Sequence, residues 1–158
     1  MLNFPPMTRQ HSLFAISAMS LAVLLGAFAF QLAGYLPCHL CYIGRWAHYA
    51  AVPLGVLFAL VPGLWRVGLL VLAMIFFGNM VFSLWHSGIE WQWWAGPSTC
   101  TGGGGLSGAV PDFGNLNVVQ CDEPALRILW LSLAGWNGVI SGVLAAFAIR
   151  QGSSSVSQ

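Results

Sequence analysis

LFAISAMSLAVLLGAFAFQLAGY, residues 13–35, carries no charged side chain. It exceeds the roughly 20 residues that a helix needs to cross the hydrocarbon core of a bilayer. Three further apolar runs approach the same length: about Arg45 to Val61, at the short end and containing Pro53, about Val67 to Trp85, and about Leu126 to Ile149. Of the 158 residues, 58% are hydrophobic and only 6% are charged, where a soluble domain would carry about a quarter charged. The pattern predicts an all-α membrane protein: one four-transmembrane-helix bundle over residues 1–150, followed by a short disordered polar tail over 151–158. Irregular backbone cannot face lipid, so the connecting segments belong at the two surfaces. Ala27-Phe28-Ala29 resembles a small-residue cleavage site, but the apolar stretch continues beyond it and the segment is read as a retained span.

An even number of spans puts both termini on one side. Arg9, Arg66 and Arg150 then share that side, while Arg45 and Arg127 fall on the other with Glu90, Asp112, Asp122 and Glu123. The excess of positive charge favours cytoplasmic termini. Five arginines, no lysine and four acids give a net charge of +1, which points to neither nucleic-acid binding nor a polybasic membrane-surface segment.

All four cysteines, Cys38, Cys41, Cys100 and Cys121, land on the non-cytoplasmic face, where disulfides are expected. Cys38 and Cys41 sit in the short connection between spans one and two, after Pro37, which is expected to stop the incoming helix. Cys100 and Cys121 bracket the longest loop, about residues 86–125. Within it, IEWQWWAG suits the membrane interface, and TGGGGLSGAV, directly after Cys100, has high backbone freedom. This second pair reads either as a staple, stabilising by about 3 kcal/mol in the chain-entropy picture, or as an exchangeable disulfide whose mobility lets it meet a partner.

C-x-x-C spacing serves zinc sites, haem attachment and dithiol exchange. Haem attachment wants a histidine where Tyr42 stands, and a four-cysteine zinc site has no second paired motif to support it, so dithiol exchange is the best of the three. Arg45, four residues after Cys41, can face that thiol one helical turn away. Cation and helix N-terminus both favour a thiolate; the alternative is an arginine snorkelling to headgroups.

Taken together, C-x-x-C-x-x-x-R (Cys38, Cys41, Arg45), four spans and a second cysteine pair in the second outer loop resemble the DsbB family of disulfide bond formation proteins, bacterial inner-membrane quinone reductases. HSGIEWQWWAGPSTC, residues 86–100, is similar to the histidine-to-cysteine segment of the DsbB and DsbI branch. The resemblance implies that Cys100 and Cys121 form the disulfide that accepts electrons from a periplasmic DsbA-like thiol oxidase, Cys100 being the sulfur attacked. Cys38 and Cys41 would pass those electrons to ubiquinone, or to menaquinone as the alternative, with Cys41 the thiolate that contacts the ring and Arg45 the residue that positions it. The loop departs from the better-known branch in having 20 residues between Cys100 and Cys121 and a glycine run, which bears on the partner served. The competing non-enzyme reading is a four-span scaffold with structural disulfides.

His86, at the outer end of span three, and His48, three residues beyond Arg45, are candidates for the quinone pocket. His39 is placed to influence the thiol pair, and Glu90 is read as mostly solvated surface. Asn79, Asn137 and Gln31 are expected to hydrogen-bond across helices, and the tryptophans to anchor at the interface.

Overall fold

A computed structural model of the chain describes residues 9–61, 63–97 and 121–153. Four helices, α1 (Arg9–Leu32), α2 (His39–Leu60), α3 (Trp65–Glu90) and α4 (Leu133–Ser153), run up and down. A two-strand hairpin, β1 (Arg127–Ile128) with β2 (Leu131–Ser132), precedes α4. All four helices are long and apolar enough to cross a membrane. Large apolar side chains such as Leu25, Leu57, Leu70, Phe77 and Val143 point outward, an arrangement that suits lipid and not water. The four-helix membrane bundle expected from the apolar runs is therefore the fold.

The helix ends differ from those the apolar pattern predicts. Pro37 does not end α1. The helix stops at Leu32 in a Schellman turn: Gly34 takes the left-handed φ of 97°, its N–H donates to the Gln31 carbonyl, and the Tyr35 N–H donates to the Phe30 carbonyl. Phe30 and Tyr35 then meet edge to face, 6.2 Å between centroids, the apolar contact that accompanies this cap. The second helix starts at His39 and not at Arg45, so the C-x-x-C motif forms its cap and first turn. α3 continues past Trp85 to Glu90. α4 starts at Leu133, after the hairpin, and runs to Ser153, into the segment expected to be a polar tail.

α1 and α2 pack chiefly on each other, α3 packs most extensively on α4, and a smaller α2–α3 contact joins the two pairs. Small residues allow these approaches. A Cβ at Gly138 would lie 3.3 Å from Ser83 Cβ, and one at Gly142 3.0 Å from Met80 Sδ; Gly138 and Gly142 make the small-x-x-x-small spacing of membrane helix pairs. Asn79 Nδ2 donates to Ser141 Oγ (2.9 Å) and Asn137 Nδ2 to Ser83 Oγ (2.8 Å), so both asparagines bond across the α3–α4 seam. Leu13, Ile16, Ala51, Leu72, Phe76 and Ala148 belong to the apolar core, which fills the end of the bundle nearer the termini. The opposite end holds a smaller cluster of Cys38, Leu40, Ile89 and Cys121.

Candidate functional site

Cys38 occupies the N-cap of α2 with extended backbone (φ −72°, ψ 171°), and its Sγ accepts the Cys41 N–H at 3.2 Å. Sulfur thus stands where a soluble helix would use a serine or aspartate oxygen. Cys38 is buried, Cys41 half-buried, and their sulfurs lie 2.6 Å apart. From α3, His86 Nε2 reaches 3.7 Å from Cys38 Sγ. The Cys41 side chain, with help from His86, holds the Cys38 thiol below its ordinary value against the opposing effect of burial. Spacing suggests a thiolate at Cys41 beside Arg45; in this structure His86 Nε2 and the Cys41 N–H approach Cys38 Sγ. The helix start puts one orphan N–H, that of Cys41, on Cys38 Sγ.

Arg45 lines the same cavity as the two thiols, but its Nη1 donates to Gln31 Oε1 at 3.1 Å. Its guanidinium lies 5.4 Å from the Tyr42 ring centroid and 5.7 Å from that of Phe28. Gln31 therefore bonds across α1 and α2, as expected of it, and it holds the arginine. His48 is fully buried and its Nε2 meets Asn137 Oδ1 at 2.9 Å. Since Asn137 Nδ2 donates to Ser83 and, at 3.4 Å, to the Gly44 carbonyl, Asn137 Oδ1 faces the imidazole as an acceptor, which makes Nε2 the protonated nitrogen. A Cβ at Gly44 would sit 3.1 Å from Asn137 Nδ2, so glycine is what lets α4 approach there.

Glu90 is not surface. It is 6% exposed, with Oε1 4.0 Å from His86 Nε2. The extra turn of α3 beyond Trp85 carries it inward, and the signal for this was the i, i+4 spacing of His86 and Glu90 on a continuing helix. His39, by contrast, is exposed.

These groups border a cavity of about 340 Å³ lined by residues of all four helices, among them Phe30, Cys41, Arg45, His48, His86 and Asn137. Cys121 is 1% exposed, is disulfide-bonded, and packs in the same buried cluster as Cys38. A disulfide sulfur is not the thiolate that a zinc site needs, so the four-cysteine alternative gains no support here. Cys100 and the glycine run lie outside the described residues. Trp94 Nε1 donates to the Trp85 carbonyl at 3.0 Å, and Arg127 stacks on Trp91 with 5.6 Å to the centroid; these contacts tie the tryptophan segment and the hairpin to the thiol end of the bundle.

A vicinal cysteine pair at an apolar cavity inside a four-helix membrane bundle defines a membrane protein with a candidate thiol-disulfide centre. The family model for the disulfide bond formation protein DsbB matches residues 9–151, and the chain belongs to that family. No match was found among curated proteins or among solved structures. Family membership implies a part in disulfide bond formation, and an oxidoreductase acting on disulfides.

Proposed function

We propose that this protein reoxidises a periplasmic DsbA-like dithiol protein and passes the electrons, through Cys100–Cys121 and then Cys38–Cys41, to membrane quinone. The observation that carries the reading is the Cys38–Cys41 dithiol opening on the cavity beside Arg45. Walls that are mostly apolar, with a few convergent polar groups, fit a flat ring bearing two carbonyl oxygens. Arg45 and His86 are the donors that would hold those oxygens, and His48 lies deeper in the same lining. When bound, quinone supplies a two-electron acceptor whose oxygens take up protons.

The chain's own residues perform the rest. The partner's thiolate attacks Cys100 and forms a mixed disulfide, which the partner's second thiol resolves, leaving Cys100 and Cys121 reduced. That reduced pair then exchanges with the Cys38–Cys41 disulfide. Cys121 shares a buried cluster with Cys38, which keeps the exchange short-range. Attack of the reduced outer pair on Cys38 releases Cys41 as the leaving thiolate, and Cys41, half-buried at the cavity, is the sulfur offered to the acceptor before the proton settles on it. Arg45 orients the ring, with Gln31 taking one of its five N–H donors and the others left for ligand. The family setting and the arginine count favour a bacterial inner membrane with both termini cytoplasmic. A scaffold with two static disulfides has less support, because Cys38 and Cys41 border an apolar cavity together with Arg45 and His86.

Single-turnover measurements on two double variants test the relay. With Cys38 and Cys41 replaced by serine, the outer pair should exchange once with reduced partner and stop. With Cys100 and Cys121 replaced, chemically reduced Cys38 and Cys41 should still be oxidised by quinone. Sustained quinone reduction by partner in the first variant would overturn the scheme.

A further inference from the structure

His86 Nε2 lies between two groups that can each carry negative charge: Cys38 Sγ at 3.7 Å and Glu90 Oε1 at 4.0 Å. Both are buried, and Glu90 Oε2 has no hydrogen-bond partner although it is shielded from solvent. A buried carboxyl at the end of a membrane helix is costly and is usually retained for function. The Ser132 hydroxyl and the Arg127 guanidinium of the hairpin also act on this carboxyl, and Cys41 feels it from α2. Glu90 lines the cavity that borders both thiols.

Resting on the quinone-reductase reading above, we propose that Glu90 is the proton store of the inner dithiol, protonated when Cys38 and Cys41 are reduced and ionised when they are disulfide-bonded. Reduction of the disulfide brings two electrons and two protons. One proton stays on Cys41. The other is drawn off Cys38, whose sulfur faces the Cys41 thiol, His86 Nε2 and the Cys41 N–H, all of which favour its charged form. Charging thiolate, imidazole and carboxylate together would bury three ions around one ring, whereas a neutral Glu90 leaves only the thiolate. Oxidation of the pair then removes the Cys41 S–H, forms one S–S bond and delivers two electrons. The Cys41 proton and the Glu90 proton accompany them to the acceptor's two oxygens. The 4.0 Å gap is one that a catalytic contact closes on ligand binding, or that one water spans.

Infrared difference spectra of quinone-free protein, reduced minus oxidised, test the assignment without turnover. The wild type should gain a protonated-carboxyl C=O band on reduction, and Glu90→Gln should lose it; Glu90→Asp should restore a displaced band. Absence of the band in the wild type, which would leave the proton on His86, or its persistence in Glu90→Gln, overturns the proposal. Thermal unfolding of each variant in the same detergent confirms that the spectra compare folded proteins. With quinone added, Glu90→Gln should reduce it on the order of 10-fold or more slowly and with an altered pH profile, while exchange at the outer pair is unchanged. Equal rates and profiles in Glu90→Gln and the wild type would also overturn the store. A wild type that reduces no quinone would sink the functional reading, while the carboxyl band would still report on Glu90.

Discussion

Cys38 shows how much one position in a helix can do to one atom. As the N-cap of α2 its sulfur receives a backbone N–H that has no partner within the helix, and His86 adds a second contact. Alkylation of Cys38 in the reduced protein, followed by mass spectrometry against pH, should therefore show a midpoint below the ordinary thiol value of 9.0. His86→Ala should move the midpoint upward. Because the folded value is depressed, the stability this thiolate contributes to the reduced protein is fully present above about pH 9 and is lost as pH falls through the lowered folded value. Arg45 makes a different prediction. Its guanidinium is held by Gln31 and flanked by Tyr42 and Phe28, so Arg45→Ala should raise the apparent quinone KM or lower turnover while partner exchange is retained. Arg45→Lys keeps the charge and loses the planar fork; it should recover little of the effect. Steady-state kinetics with varied quinone would show both, and an unchanged quinone dependence in Arg45→Ala would remove the arginine from the pocket.

At the scale of elements, the helices approach where glycine leaves room. A Cβ at Gly55 in α2 would collide with the Ser17 hydroxyl of α1 and lie 3.1 Å from the Leu13 carbonyl. No flexible chain end can yield there, since Leu13 contributes backbone. Gly55→Val should destabilise the bundle by about 1–3 kcal/mol, the usual range for overpacking. Gly78 in α3 has nothing within 4 Å of its would-be Cβ. Gly78→Ala should leave stability unchanged or raise it by up to about 1 kcal/mol through helix propensity. Unfolding in mixed micelles compares the two; equal destabilisation would refute the packing account. The hairpin before α4 shows a local cost of the same kind. Leu129 and Trp130 adopt φ of 50° and 72°, the left-handed values that a two-residue turn demands and that favour glycine or asparagine. Ser132 Oγ accepts the Gly135 N–H at 3.0 Å and Trp136 Nε1 donates to the Ile128 carbonyl at 2.9 Å, so the turn is held from both sides.

For the whole molecule, Asn137 is the junction. From α4 it bonds His48 and Gly44 of α2 and Ser83 of α3, beneath the cavity that carries the thiols. Lipid exclusion does not itself drive helices together inside a membrane, so cross-helix polar bonds and close packing carry the association. Asn137→Ala should cost about 1–2 kcal/mol of unfolding free energy and loosen the cavity, which would be read as weaker quinone retention during purification. Retention equal to the wild type would show that the junction does not shape the cavity.

The sequence by itself determined the number of spans, the α-only class and the family. A charge-free run of this length must satisfy its backbone internally whatever its neighbours are, and C-x-x-C-x-x-x-R marks the thiol end. It also marked Asn79, Asn137 and Gln31 as bridges between helices, because an amide in a span needs a partner. Only the tertiary structure decided which cysteine caps the second helix, that Glu90 is buried, that Cys121 shares a buried cluster with Cys38, and that His48 is paired with Asn137. Those facts depend on where a helix begins or ends by a single turn, and on distances between residues about 30 to 90 positions apart, which apolar periodicity within one segment does not encode.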